Sequence, residues 1–203
     1  MEGGERPLRK LAEAFHDLAA RVSSNREAME LARFTYACST VLDLFKLIGI
    51  EYKFGEDEYR AKIKDIEAAS QTISTVPDLI DADIRNNCVT RSGSHSRNLL
   101  RVKRALELIR VIFELLLASK DDTFMIPAAA AYAMVFAAHH EQPIKNAVSE
   151  AMYDLPTRSQ LLQMVNEEEE SANVQLKKYV DASAIVTRYI DEQFTGKGLG
   201  TNW

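Results

Sequence analysis

Apolar residues return at steps of three and four along almost the whole chain, and no apolar–polar alternation runs long enough for a half-buried strand. That periodicity confines the chain to the all-α class. Breaks in the pattern divide it into helices. A first is predicted from about Pro7 to Val22, ending at Ser23-Ser24-Asn25, and a second from about Ala28 to Leu47, ending at Gly49. Glu56 to about Ser74 reads as a third, and Pro77 opens a shorter fourth to about Asn87. The turn residues Arg91-Ser92-Gly93-Ser94-His95-Ser96 precede a long helix that reaches about Ser119, with Ser94 or Ser96 as its cap. Pro127 and Pro143 each suit a first helical turn, the first opening an Ala-rich helix that ends near His139. Thr157 can cap a helix from Arg158. A last amphipathic stretch runs from about Asn166 to Phe194, before Gly196, Gly198 and Gly200 release a tail.

A chain of 203 residues, 46% apolar and with only 8 Gly and 5 Pro, can bury a core without disulfides or metals, and reads as one domain spanning 1–203. The net charge of −5 gives no general attraction to nucleic acid or to an anionic membrane. Cys38 and Cys88 sit in stretches that read as helical, without metal-ligand spacing, and are expected to be reduced thiols. Residues 1–9 carry charges but no apolar signal core, and no run of 18 apolar residues occurs, so a cytoplasmic protein is expected. The run Glu167-Glu168-Glu169-Glu170 reads as a solvated face at a helix start.

One segment departs from the acidic average. Between Arg85 and Arg110 stand seven basic residues, Arg85, Arg91, Arg97, Arg101, Lys103, Arg104 and Arg110, against the single acid Glu107. Arg97, Arg101 and Arg104 are spaced four and three apart, which places them in one row on a helix face. The row continues as Leu108, Val111 and Leu115, so the face is cationic at one end and apolar at the other. On the third helix Glu58 and Lys62 lead in the same way to Ile66, Ala69 and Ile73, as a second wall of one site would. Spacing alone leaves two readings open. Either the arginines lie in water, paired to acids elsewhere, or they are buried and need an anion from outside, for which a phosphate dianion is the natural partner.

The chain resembles the glycolipid transfer protein family, in its ceramide-1-phosphate branch. The likeness rests on Gly93-Ser94-His95-Ser96-Arg97-Asn98-Leu99-Leu100-Arg101-Val102-Lys103-Arg104, supported by Phe34-Thr35-Tyr36-Ala37-Cys38, Val135-Phe136-Ala137-Ala138-His139-His140 and Met152-Tyr153-Asp154-Leu155-Pro156-Thr157-Arg158. The resemblance implies a two-layer sandwich of about eight helices enclosing a lipid pocket, with no chemical turnover and no cofactor. It implies that Lys62, Arg97 and Arg101, with Arg104 beside them, hold the phosphate, and that His140 holds the ceramide amide. Two positions depart from the family pattern. Glu58 stands where the family has aspartate, and its extra methylene is enough to displace an amide by about an ångström. Gln142 stands where a tryptophan is common near the membrane-facing mouth.

The residues leave rivals to weigh. His140 read alone suits a satisfied core histidine, and His139-His140 lacks the companions of a metal site. No GxSxG, GxxxxGK or Rossmann fingerprint points to an enzyme. A helical nucleic-acid module could use the arginine row but not its apolar continuation. A lipid sensor with the same pocket would be indistinguishable from a carrier. The expectation is a cytoplasmic carrier of ceramide-1-phosphate or a related phosphosphingolipid, touching membranes transiently, without nucleic acid and with no need of a partner subunit, hence a monomer.

Overall fold

The structure, a computed structural model, describes residues 6–24, 27–48 and 53–203. Its helices are α1 (Pro7–Ser24), α2 (Leu31–Ile48), α3 (Lys53–Ala69), α4 (Val76–Arg85), α5 (His95–Ala118), α6 (Met125–Val135), α7 (Gln142–Ala151), α8 (Arg158–Met164) and α9 (Glu169–Gly196). Short 3-10 turns at Ala137–His139 and Met152–Asp154 follow α6 and α7. Among the described residues the only extended pairing is an isolated bridge between Glu30 and Thr75. The fold is all-α, as the periodicity requires, and its helices pack in two layers.

The ends of the helices show why the sequence divides here. Thr75 caps α4 by accepting from the Asp78 amide at 3.3 Å, with Pro77 just inside. Ser94, not Ser96, caps α5, accepting from the Arg97 amide at 3.2 Å. Thr157 and Gln160 form a reciprocal capping box at α8. Three helices end in the same hydrogen-bonded turn. After α4, α8 and α9 the chain passes through Asn87, Asn166 and Gly198 with φ of 50°, 52° and 70°. The following amides of Cys88, Glu167 and Leu199 then reach back to the Asp83, Leu162 and Phe194 carbonyls at 3.0, 3.1 and 2.9 Å.

These turns account for the shifted boundaries. Asn166 closes α8 instead of opening α9, which begins at Glu169, and Cys88 lies beyond α4 instead of within it. The third helix stops at Ala69 and the Ala-rich one at Val135. The expected breaks at Asn25 and Gly49 fall outside the described residues. Of the acidic run, Glu168, Glu169 and Glu170 are exposed as expected. Glu167 is buried, with its carboxylate accepting from the Ser171 hydroxyl and 3.9 Å from Arg6.

In the order α1, α9, α5, α3, α2 each helix packs on the next, and α2 returns to α1. An aromatic chain ties the middle of this ring together. Phe15 of α1 meets Tyr179 of α9 edge-on with centroids 5.0 Å apart, and Tyr179 meets Phe113 of α5 at 5.2 Å. The Tyr179 hydroxyl, wholly buried, donates to the Leu106 carbonyl at 3.3 Å, and Cys38 is packed in the same core. The ring leaves α6 on the outer side of α5.

Candidate functional site

The arginine row belongs to the first half of α5, and α3 runs antiparallel beside it. Asp65, late in α3, accepts from Asn98 Nδ2 at 2.8 Å and lies 2.9 Å from His95 Nδ1, both in the first turn or so of α5. Two turns earlier in α3, Glu58 therefore comes level with Arg101, close enough to favour its charge. Lys62 pairs with the Glu58 carboxylate, and Glu58 keeps most of its surface in water. One helix pair thus brings Glu58, Lys62, Arg97 and Arg101 together.

The electrostatics describe a site short of negative charge. Burial, then the neighbouring Arg97, hold the Arg101 guanidinium below the usual arginine range, with Glu58 opposing them. Burial and then Arg101 do the same to Arg104, opposed by Glu107 and Asp191. Those two carboxylates are themselves held by Lys103 Nζ, at 2.8 and 2.9 Å. Arg97 turns one nitrogen to the Thr90 carbonyl at 2.9 Å, which ties it to the turn ahead of α5. Arg104 is buried. Its Nη2 donates to the Thr201 carbonyl at 3.3 Å, and its Nη1 is buried without an acceptor. Guanidinium groups removed from water with donors to spare attract an oxyanion.

His140 follows the turn after α6, and the same charges reach it. Burial first, then His139, Arg101, Arg104 and Lys145, lower its pKa below the ordinary histidine value; His139 is lowered by burial, Arg104 and Arg101. Both shifts favour the neutral imidazole. The Tyr132 hydroxyl lies 2.9 Å from His140 Nδ1. With the phenol donating, the ring proton sits on Nε2, which becomes a donor suited to an amide carbonyl. Phe136 stacks on the His140 ring at 5.2 Å. Tyr132, Phe136 and His140 are spaced by four residues, a signal that the arginine row eclipsed in the sequence.

The two apolar rows part company. Leu108, Val111 and Leu115 stand outside the continuous core, on the helix that carries α6, whose buried Ala128 and Ala131 are also outside it. On α3, by contrast, Ile66 and Ala69 are buried within the main core and Ile73 packs against it. The apolar continuation of the site is thus the α5 row facing α6, with α3 contributing its charged end. Among the described residues no three metal-ligating side chains cluster, and no helix is long and apolar enough to cross a membrane.

The chain and its fold have counterparts in known proteins. Over 200 residues the chain is 45% identical to accelerated cell death 11 of Arabidopsis thaliana, covering 98% of this chain and 97% of that one. A crystal structure of an accelerated cell death 11 mutant from Arabidopsis, complexed with ceramide-1-phosphate, superposes with a TM-score of 0.94 over 98% of this chain and 100% of the other. The human ceramide-1-phosphate transfer protein, at 20% identity, shares the fold with a TM-score of 0.82, covering 94% of this chain and 96% of that one. Residues 29–167 match the family described as glycolipid transfer protein. With that match and a relative at this level of identity along nearly its whole length, the chain belongs to the glycolipid transfer protein family.

Proposed function

We propose that this protein carries a phosphorylated sphingolipid, ceramide-1-phosphate in the first place, between membranes without transforming it. The observation that supports the reading is the grouping of Lys62, Arg97, Arg101 and Arg104 around the single carboxylate of Glu58, with Glu107 and Asp191 already held by Lys103. Arginine forks on the phosphate oxygens, Lys62 freed from Glu58, and His140 Nε2 on the amide carbonyl would complete the polar contacts. The chains would run from there along Leu108, Val111 and Leu115, between α5 and α6, where the buried Ala128 and Ala131 of α6 lie outside the main core. Each methylene buried contributes about 0.8 kcal/mol.

Transfer between vesicles tests this directly, with fluorescent ceramide-1-phosphate, a neutral glycosylceramide and phosphatidic acid as competing cargoes. Selective movement of ceramide-1-phosphate is the expected result, and no movement of any cargo would overturn the reading. Glu58→Asp, which restores the shorter carboxylate, is expected to speed transfer about threefold, the effect of re-seating one amide hydrogen bond worth under 1 kcal/mol.

Docking falls to α6. It carries no charged residue from Met125 to Val135, yet Ile126 and Met134 are exposed on its outer side, Met134 by 71%. Tyr153, 79% exposed, stands on the 3-10 turn that packs against α6. Large apolar side chains left exposed together on one surface suit a bilayer interface. Gln142 contributes nothing apolar there, since it bonds Asn146 at 2.8 Å. Met134→Glu is expected to slow transfer from vesicles about tenfold, the loss of one buried apolar side chain, while binding of monomeric short-chain ceramide-1-phosphate stays unchanged. Equal transfer by the variant would place docking elsewhere.

A further inference from the structure

The tail beyond α9 does not leave the protein at its glycines. Gly198 adopts a left-handed φ of 70°, and the Leu199 amide returns to the Phe194 carbonyl at 2.9 Å, which reverses the chain direction. Leu199 then packs against the core, and Trp203 rests edge-on against Phe194 with centroids 6.0 Å apart. Between these two anchors the Thr201 carbonyl accepts from Arg104 Nη2 at 3.3 Å. This contact joins residues 97 positions apart and gives Arg104 its hydrogen-bonded acceptor, leaving Nη1 buried and unpaired.

We infer that residues 199–203 form a strap that positions Arg104 for the phosphate, with Trp203 as its anchor. The inference rests on the cargo reading above. A guanidinium is planar, so holding Nη2 on one carbonyl narrows the range of its plane and with it the directions open to the remaining donors. Arg101 repels Arg104, and without the strap that repulsion would turn the Arg104 side chain away from its neighbour. Lys103 lies one residue earlier on α5 but is engaged by Glu107 and Asp191, so it cannot replace Arg104. The strap therefore stores the orientation before cargo arrives, which reduces the ordering that binding would otherwise require. Trp203 is a positioning residue. It touches Phe194, not the site.

The test uses the full chain and its single tryptophan. Transfer of ceramide-1-phosphate is compared among wild type, Trp203→Ala, Trp203→Phe, Arg104→Ala and the double variant Trp203→Ala with Arg104→Ala. Trp203→Ala is expected to slow transfer about fivefold, and Trp203→Phe, which keeps the aromatic edge, to restore it. In the Arg104→Ala background the tryptophan change is expected to add nothing, because the two residues act through one contact. A merely structural tryptophan would cost the same in both backgrounds, and that result, or an unaffected Trp203→Ala, overturns the inference. A second arm needs no lipid. Arg104→Ala is expected to raise acrylamide quenching of Trp203 about twofold as the strap loosens, and unchanged quenching overturns the tie. A wild type that moves no cargo would sink the transfer reading and the strap's bearing on it, while the quenching arm still decides whether Arg104 holds the strap.

Discussion

Replacing Arg101 with alanine is expected to lower ceramide-1-phosphate transfer about a hundredfold without lowering the melting temperature. The size follows from removing a charge-assisted, partly desolvated contact to an ionised ligand, worth about 2–4 kcal/mol, at 1.4 kcal/mol per decade. The unchanged stability follows from the local field. Burial and Arg97 press the Arg101 guanidinium below its usual range, so the folded protein holds this charge against resistance and loses nothing by shedding it. Arg101→Lys should fall between the two, because it keeps the charge and loses the fork. The paired measurements are a vesicle transfer assay and a thermal melt. A variant that transfers normally would show that the phosphate is held elsewhere, and one that melts early would make Arg101 a structural residue.

The opposite signature is expected at Phe15. Its ring is fully buried and stands edge-on to Tyr179, which in turn meets Phe113, so it begins the aromatic chain through α1, α9 and α5. Phe15→Ala should remove about 3–5 kcal/mol of unfolding free energy through lost burial and the cavity left behind. For a chain of this size that corresponds to a melting temperature lower by about 10 °C. Urea titration measures the loss, and transfer by the fraction still folded should match the wild type. A loss under about 1 kcal/mol would mean that the neighbours close over the gap.

The sequence and the structure agree most where side chains alone set the outcome. Ser94 and Thr157 cap helices because their oxygens meet free amides, and such residues are visible in a sequence, as is Thr75, though the prediction of α4 rests on Pro77 alone. Arg97, Arg101 and Arg104 were legible as a row because helical spacing is a local property. Agreement is weaker where the backbone decides. The left-handed turn at Asn87 ends α4 at Arg85, before the predicted end, and that at Asn166 holds back the start of α9 to Glu169, where spacing opens it at Asn166 because asparagine also suits a helix start. The same holds for the site. His140 stood out only through the family resemblance. Its partners Tyr132 and Phe136 lie on or beside a helix so uniformly apolar that no face contrasts with another. The acceptor that fixes Arg104 is a main-chain carbonyl of Thr201, which leaves no trace in residue identity. Ile66 shows the converse error, since the spacing that joins it to Lys62 says nothing about which way the helix turns its flank.

The packing of α1 against α9 also bears on how the protein is made. A ribosome releases α1 first and α9 last, so Phe15 waits for Tyr179 through the synthesis of more than 160 intervening residues. Until then the faces of α1 and α5 that α9 buries have no cover, and loop closure on that scale is slow compared with the forming of single helices. The nascent chain must therefore stay soluble as a set of uncovered amphipathic helices, a period in which chaperones that bind apolar surface would find it. Only after α9 emerges can the ring of helices close, and with it the contact between Arg104 and the Thr201 carbonyl, so the surroundings of the α5 arginines are among the last parts of the molecule to be completed.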